Sequence, residues 1–183
     1  VTLEDELRDH VAADAAEARD LAAIRDFVGR HADPFDRRIA EGHLTGSAVV
    51  LCEGGLRVLL LHHRKLQRWL QPGGHAEIGE RSGAAVAMRE ALEETGIDGL
   101  RLHPGPPALL DVDVHAIPAR RDEPAHLHLD LRYLVLAPGS AQPRRQEEES
   151  ADLRYFGWDE LAALDLDPGL RRALAKARAR LRG

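Results

Sequence analysis

The 183-residue chain predicts an α/β fold, and three features carry that expectation. Residues 2–28 contain neither Pro nor Gly and repeat apolar positions at helical spacing. Two later segments, Leu109–Ile117 and His126–Leu136, alternate polar and apolar residues with the period of 2 that belongs to a strand with unlike faces. Ahead of both, the stretch from Ser82 to Gly96 carries the capping residues and the periodicity of a helix.

At the N-terminus, Leu3, Leu7 and Val11, then Leu21, Ile24 and Val28, recur at helical spacing, which means one long helix or two joined near Asp14. Asp33-Pro34-Phe35 breaks the pattern, and a polar linker runs to Gly42. Residues 1–42 thus read as a helical extension and linker, and residues 43–183 as the main domain. The preferred role of the extension is packing against the core; a dimer arm, with a homodimer as the assembly, or a lid on the substrate are the alternatives.

Ser47–Cys52 and Leu56–Leu61 are apolar runs separated by the turn residues Glu53-Gly54-Gly55, and they predict a hairpin. The cationic run His62-His63-Arg64-Lys65-Leu66-Gln67-Arg68-Trp69 then leads into Gly73-Gly74-His75-Ala76-Glu77-Ile78-Gly79-Glu80. Arg64 is placed to grip a phosphate and Trp69 to face a base or ring, with a solvated loop and a core tryptophan as the equal alternative. His75 is counted with them as a substrate contact.

In the next helix, Ser82 serves as N-cap and Gly96 as the left-handed C-terminal residue. Glu90, Glu93 and Glu94 lie within an arc of roughly 100°, with Ala85, Met88, Ala91 and Leu92 expected on the opposite, packing side. Carboxylates that close repel one another, so the cluster is costly unless a hard cation neutralises it; Mg²⁺ or Mn²⁺ suits such oxygen ligands. Arg89, four residues before Glu93, is within reach to orient it.

On the alternating strands, Asp111, Asp113 and His115 share one face, as do His126, His128, Asp130 and Arg132. The loop Pro118–Pro124 predicts an antiparallel pair whose polar faces meet beside the carboxylate site. That wall reads as a second metal site, a substrate contact or a hydrogen-bonded wet face, with Arg132 the best phosphate-binding candidate. Downstream, Gln146-Glu147-Glu148-Glu149-Ser150 is an acidic loop before the strand Leu153–Trp158. Asp159 is the expected N-cap of a short helix, and Pro168 opens an Arg-rich amphipathic helix.

A net charge of -6 leaves no basic footprint for a nucleic-acid polymer. No apolar run approaches a membrane span, and the opening residues do not read as a signal peptide. Cys52 alone cannot form an internal disulfide, so a reducing cytoplasm is the expected setting and Cys52 reads as a small core residue.

From Gly74 to Ile97 the chain resembles the Nudix hydrolase family. That family's signature is Gly, five residues, Glu, seven residues, then Arg-Glu-hydrophobic-x-Glu-Glu-x-Gly-hydrophobic. Gly74 and Glu80 match the first half, and Arg89 to Ile97 match the second; eight residues rather than seven separate Glu80 from Arg89. The resemblance implies an α/β/α sandwich with a mixed sheet and cleavage of a pyrophosphate linkage in a nucleoside diphosphate joined to another group. It also implies that Glu90 and Glu94 hold Mg²⁺ with a main-chain carbonyl of Gly73 or Gly74, and that Glu93 activates the attacking water. A downstream carboxylate, Glu148 or Glu149, could join them, with a solvated acidic loop as the equal alternative. A non-catalytic nucleotide sensor on the same fold is the alternative, which the intact carboxylate set disfavours. Isomerase chemistry would want a catalytic Cys, for which Cys52 is too apolar in context. No motif selects the substrate.

Overall fold

The computed structural model describes residues 2–120, 124–139, 141–144 and 150–181. Elements run α1 (Leu3–Asp9), α2 (Ala15–Arg30), β1 (Gly42–Cys52), β2 (Arg57–His63), β3 (Arg68–Leu70), β4 (Gly73–His75) and α3 (Gly83–Thr95). Then follow β5 (Arg101–Leu102), β6 (Leu109–Ile117), β7 (His126–Ala137), β8 (Ser150–Gly157), α4 (Trp158–Leu161) and α5 (Pro168–Arg180).

One mixed sheet organises the molecule. β1 is buried along its whole length and pairs parallel with β7 from Gly42↔Leu127 to Cys52↔Ala137. The other edge of β1 is shared: β2 takes Val50 and Leu51, and β4 takes Thr45 to Ser47, both antiparallel. β6 and β5 pair antiparallel with the far edge of β7, and β3 and β8 flank β2.

The two faces of the sheet carry separate cores. Leu44, Ala48, Val50, Leu131, Tyr133 and Val135 pack against Val86, Ala87 and Ala91 of α3 and against Leu7, Leu21, Ile24 and Phe27 of the extension. On the opposite face Val49, Leu51, Leu60, Leu134 and Phe156 meet Leu161, Leu170, Ala173, Leu174 and Ala177 of α4 and α5. Helices on both faces of a mixed sheet make the three-layer α/β/α arrangement.

α3 begins and ends where its sequence says it should. Ser82 Oγ accepts from the Ala85 N–H at 3.3 Å, and Gly96 adopts φ 60°. Its packing face is rotated from the expected one: Gly83, Val86, Ala87, Ala91 and Thr95 are buried, whereas Ala85 and Leu92 are exposed. The cause is close approach to β1. A Cβ on Gly46 would lie 2.6 Å from the Gly83 carbonyl oxygen and 2.9 Å from Ala87 N, so only the small-residue stripe of α3 fits there.

The N-terminal segment forms two helices, with Asp14 as N-cap of the second, accepting from Glu17 N–H at 2.8 Å. Both pack on the main core. Tyr133 Oη donates to Glu6 at 2.8 Å, and Arg25 donates to the Leu7 carbonyl. The fully buried Glu17 receives hydrogen bonds from Ala13 N–H at 2.6 Å and from Lys176, and lies 2.7 Å from His10 Nε2. At the other end, Gly157 rather than Asp159 caps α4, because Glu160 reaches back to accept from Gly157 N–H at 2.6 Å. Asp167 caps α5 ahead of Pro168, accepting from Leu170 N–H at 2.8 Å. Among the described residues no helix is long and apolar enough to cross a membrane.

Candidate active site

The last two turns of α3 lie against β4. Gly73 N–H donates to Glu94 Oε2 at 2.8 Å, which fixes one carboxylate to the edge strand. Glu90 lies over Gly74: a Cβ there would stand 2.6 Å from Glu90 Oε1, so the missing side chain makes room for the carboxylate. Glu93 is the more exposed neighbour, with about half of its side chain accessible (49%). The carboxylates of Glu90 and Glu94 beside the Gly73-Gly74 backbone are oxygen donors of the kind that suit a hard divalent cation.

Arg89 organises this cluster. Its guanidinium contacts Glu90 and Glu93 at 3.0 Å each, Glu80 at 3.0 Å, and the main-chain carbonyl of His75 at 2.6 Å. Four acceptors around one planar fork suit Arg, with its five fixed donors, better than Lys. Hydrogen bonding to Arg89 holds the Glu80 carboxyl below its usual range, against a small effect of burial. The Arg89 guanidinium is in turn raised above its ordinary value, chiefly by Glu80. With the eight-residue spacer, Glu80 is paired with Arg89 at 3.0 Å.

The polar residues of β6 and β7 do share one face: Asp111 pairs with Arg132, Asp113 with Asp130 and His115 with His128. That face is the one turned away from α3. Gly74 points at Glu90, so its neighbours Gly73 and His75 point to the other side, where a Cβ on Gly73 would meet Ser47 and the His75 ring meets His128. The expectation that His126, His128 and Arg132 stand beside the carboxylates is corrected accordingly. Strand alternation puts them across the sheet.

Arg132 is 2% exposed and bonded to Asp130 at 3.0 Å, Asp111 at 3.3 Å and Asp113 at 3.2 Å. Burial would lower its pKa, but these three carboxylates outweigh it and raise the group. Asp130 also accepts from Thr45 Oγ1 at 2.9 Å and Ser47 Oγ at 2.7 Å, and Arg172 clamps Asp111 at 2.8 Å. A guanidinium so enclosed has no room for a phosphate; Arg132 is the centre of a buried ion network. Next to it lies an imidazole cluster of His43, His75, His126 and His128, to which His43 was the least visible contributor because it precedes the apolar run of β1. Burial, aided by His75 and His126, pushes His43 down to about 4.

Trp69 packs edge-on against Phe156, with ring centroids 4.7 Å apart, and lies under the Arg154 guanidinium at 5.3 Å. It is half-buried in the core on the α5 face. Arg64 is on the exposed loop between β2 and β3 and donates to the Ser150 carbonyl at 3.2 Å. Glu148 and Glu149 lie outside the described residues.

Comparison with known proteins agrees with the geometry. The structure is similar to that of a C. elegans Ap4A hydrolase, with TM-score 0.61 and 19% identity over 76% of this chain and 98% of the other. It is similar to a MutT NUDIX hydrolase from Burkholderia pseudomallei, with TM-score 0.53 and 26% identity over 74% and 98%. It also resembles the NUDIX domain of Shewanella oneidensis NrtR, solved in complex with ADP ribose, with TM-score 0.52 and 19% identity over 86% and 97%. No curated protein matches at the level of sequence. The sequence profile of the NUDIX domain matches residues 42–177, from the first residue of β1 into α5, and it spans the carboxylate helix, the glycine strand and Arg89. The chain belongs to the NUDIX family of hydrolases.

Proposed function

We propose that this hydrolase cleaves a pyrophosphate bond in a nucleoside diphosphate joined to another group, or in a similar phosphorylated small molecule, with Mg²⁺ or Mn²⁺ as cofactor. The observation that carries the reading is Arg89 holding Glu90 and Glu93 on one end of α3, while Glu94 accepts from the Gly73 N–H and Glu90 lies over Gly74. The names of its structural relatives, an Ap4A hydrolase and a domain bound to ADP ribose, support a substrate of that kind.

Glu90, Glu94 and a main-chain carbonyl of Gly73 or Gly74 would hold the ion. Bound there, it supplies charge neutralisation on the phosphate oxygens, the main requirement of phosphoryl transfer. Glu93, exposed and oriented by Arg89, takes the proton of the attacking water as its oxygen bonds to phosphorus and the bridging P–O bond breaks. We keep Arg64, on its exposed loop, as a phosphate contact, and Glu149 as a further carboxylate toward the ion.

The test is pyrophosphate-bond cleavage, read as phosphate freed from the products by an added phosphatase, over a panel of nucleoside triphosphates, nucleotide sugars, dinucleotides and non-nucleotide pyrophosphates, with either ion and with blanks for substrates that the phosphatase attacks directly. Activity should vanish in excess chelator and return with Mg²⁺ or Mn²⁺. Glu93→Gln should lower turnover by roughly 100-fold to 10,000-fold, the range for a lost general base, while metal affinity holds. Glu90→Gln and Glu94→Gln should weaken metal binding. Full turnover in excess chelator, or near-normal rates in all three variants, would overturn the reading.

A further inference from the structure

Across the sheet from the carboxylates, three imidazoles come from three adjacent strands: His43 on β1, His128 directly opposite it on β7, and His75 on β4. One ring nitrogen of each lies within 4.8 Å of the other two, and the Nε2 atoms of His75 and His128 are 3.1 Å apart. We propose that His43, His75 and His128 form a second metal site that takes a transition ion of the Zn²⁺, Co²⁺ or Ni²⁺ class.

Donor type sets the ion. Imidazole nitrogen suits Zn²⁺, Ni²⁺ and their neighbours, whereas Mg²⁺ and Mn²⁺ favour the oxygens of the carboxylate site. Metal–nitrogen bonds of about 2.0–2.1 Å in a tetrahedral site set nitrogen–nitrogen separations of roughly 3.3 Å. The His75–His128 pair already stands near that spacing, and a His43 nitrogen lies within 4.8 Å of both.

His43 supplies the independent observation. Its ring is 2% exposed, and neither Nδ1 nor Nε2 has a hydrogen-bond partner. Enclosing such a group without a partner is unfavourable, and an ion bound by one of those nitrogens offsets that cost. The neighbours fit as supports. His126 stacks on His43 at 5.1 Å, and its Nδ1 is 3.0 Å from the Pro124 carbonyl, the kind of main-chain bond that fixes ring orientation. His115, 5.5 Å from the His128 ring, is anchored to Asp113 at 3.0 Å. Three ligands on rigid strands leave a fourth position for water or for one oxygen of a bound anion.

Co²⁺ tests the proposal, because tetrahedral nitrogen coordination gives strong visible absorption and octahedral oxygen coordination gives weak absorption. One equivalent added to the metal-free protein should produce the strong bands. They should persist in a Glu90→Gln/Glu94→Gln double variant and disappear in His43→Gln and His128→Gln. Zn²⁺ should bleach the bands and raise the melting temperature of the double variant. Circular dichroism of the metal-free His variants establishes that they fold; wild type alone decides if they do not. Weak absorption only in wild type, strong bands that survive both His substitutions, or bands lost with the carboxylates would each overturn the site. None of these outcomes depends on the hydrolytic reading.

Discussion

Arg89 Nη2 donates to the main-chain carbonyl of His75 at 2.6 Å, and this bond ties the carboxylate helix to the last residue of the glycine strand. The same guanidinium holds Glu80, Glu90 and Glu93. His75 consequently faces two ways, with its carbonyl at the carboxylate site and its ring in the imidazole cluster on the other face. Positions spread over the 24 residues from Gly74 to Ile97 are thereby brought to one edge strand and one helix.

A lysine at position 89 keeps the charge but cannot serve four acceptors in one plane. Arg89→Lys should lower kcat by about 10–100-fold, the usual cost of losing a group that orients a metal site. Glu80→Gln should cost less than Arg89→Lys, since the guanidinium keeps its other three partners. Steady-state rates at saturating Mg²⁺ check both, and an Arg89→Lys enzyme with wild-type kcat would remove Arg89 from the positioning role.

Two glycines separate catalysis from stability. A Cβ on Gly74 would meet only the flexible end of Glu90, so Gly74→Ala should move that carboxylate and raise the Mg²⁺ concentration for half-activation about tenfold, an effect of the size seen when metal ligands are misaligned. Its melting temperature should change little. A Cβ on Gly46 would meet the backbone of α3 at Gly83 and Ala87. Gly46→Ala should therefore cost about 1–3 kcal/mol of stability, the range for overpacking. Thermal melts with metal titrations distinguish the two.

Much of this was legible in the sequence because the signals are local. Ser82, Gly96, Asp14 and Pro168 mark helix ends through the chemistry of a single turn, and period-2 alternation puts Asp111 to His115 and His126 to Arg132 on shared faces. The face itself was not legible. It depends on strand order, and in particular on β7 pairing parallel with β1 and β4 pairing antiparallel with it. The start of β1 was missed for a related reason: His43, Thr45 and Ser47 are polar yet buried because they meet histidines and Asp130 across the pairing, partners at least 32 residues away. Pairs such as Glu17 with Lys176 and Asp111 with Arg172 join residues 159 and 61 positions apart, and no spacing rule reaches them.

Arg132 was the sequence's best phosphate ligand, and its burial reverses the prediction. Arg132→Ala leaves Asp111, Asp113 and Asp130 without their central counter-charge, which should cost about 3–5 kcal/mol, as for other broken buried ion pairs. KM measured below the lowered melting temperature should stay near wild type. A large rise in KM with unchanged stability would return Arg132 to the substrate site.

Glu17 carries the pH dependence of the extension. Burial alone would raise its pKa, but hydrogen bonds from His10, the Ala13 amide and Lys176 outweigh it and hold the carboxyl far below its usual value. The unfolded chain, with an ordinary glutamate near 4.3, binds a proton before the folded one does. The stabilisation is therefore fully present above that pH and is lost as pH falls through the gap toward the depressed folded value. Glu17→Gln removes the charge at every pH and leaves Lys176 and Arg172 facing a neutral amide. At pH 7 the variant should be less stable by about 3 kcal/mol, within the range for one lost partner of a buried pair. As pH drops below 4.3 wild type should lose stability more steeply than the variant, so the two urea midpoints converge. Parallel midpoint curves from pH 7 to pH 3 would show that folding does not shift the Glu17 pKa, and that its ion pairs do not hold the extension on the sheet.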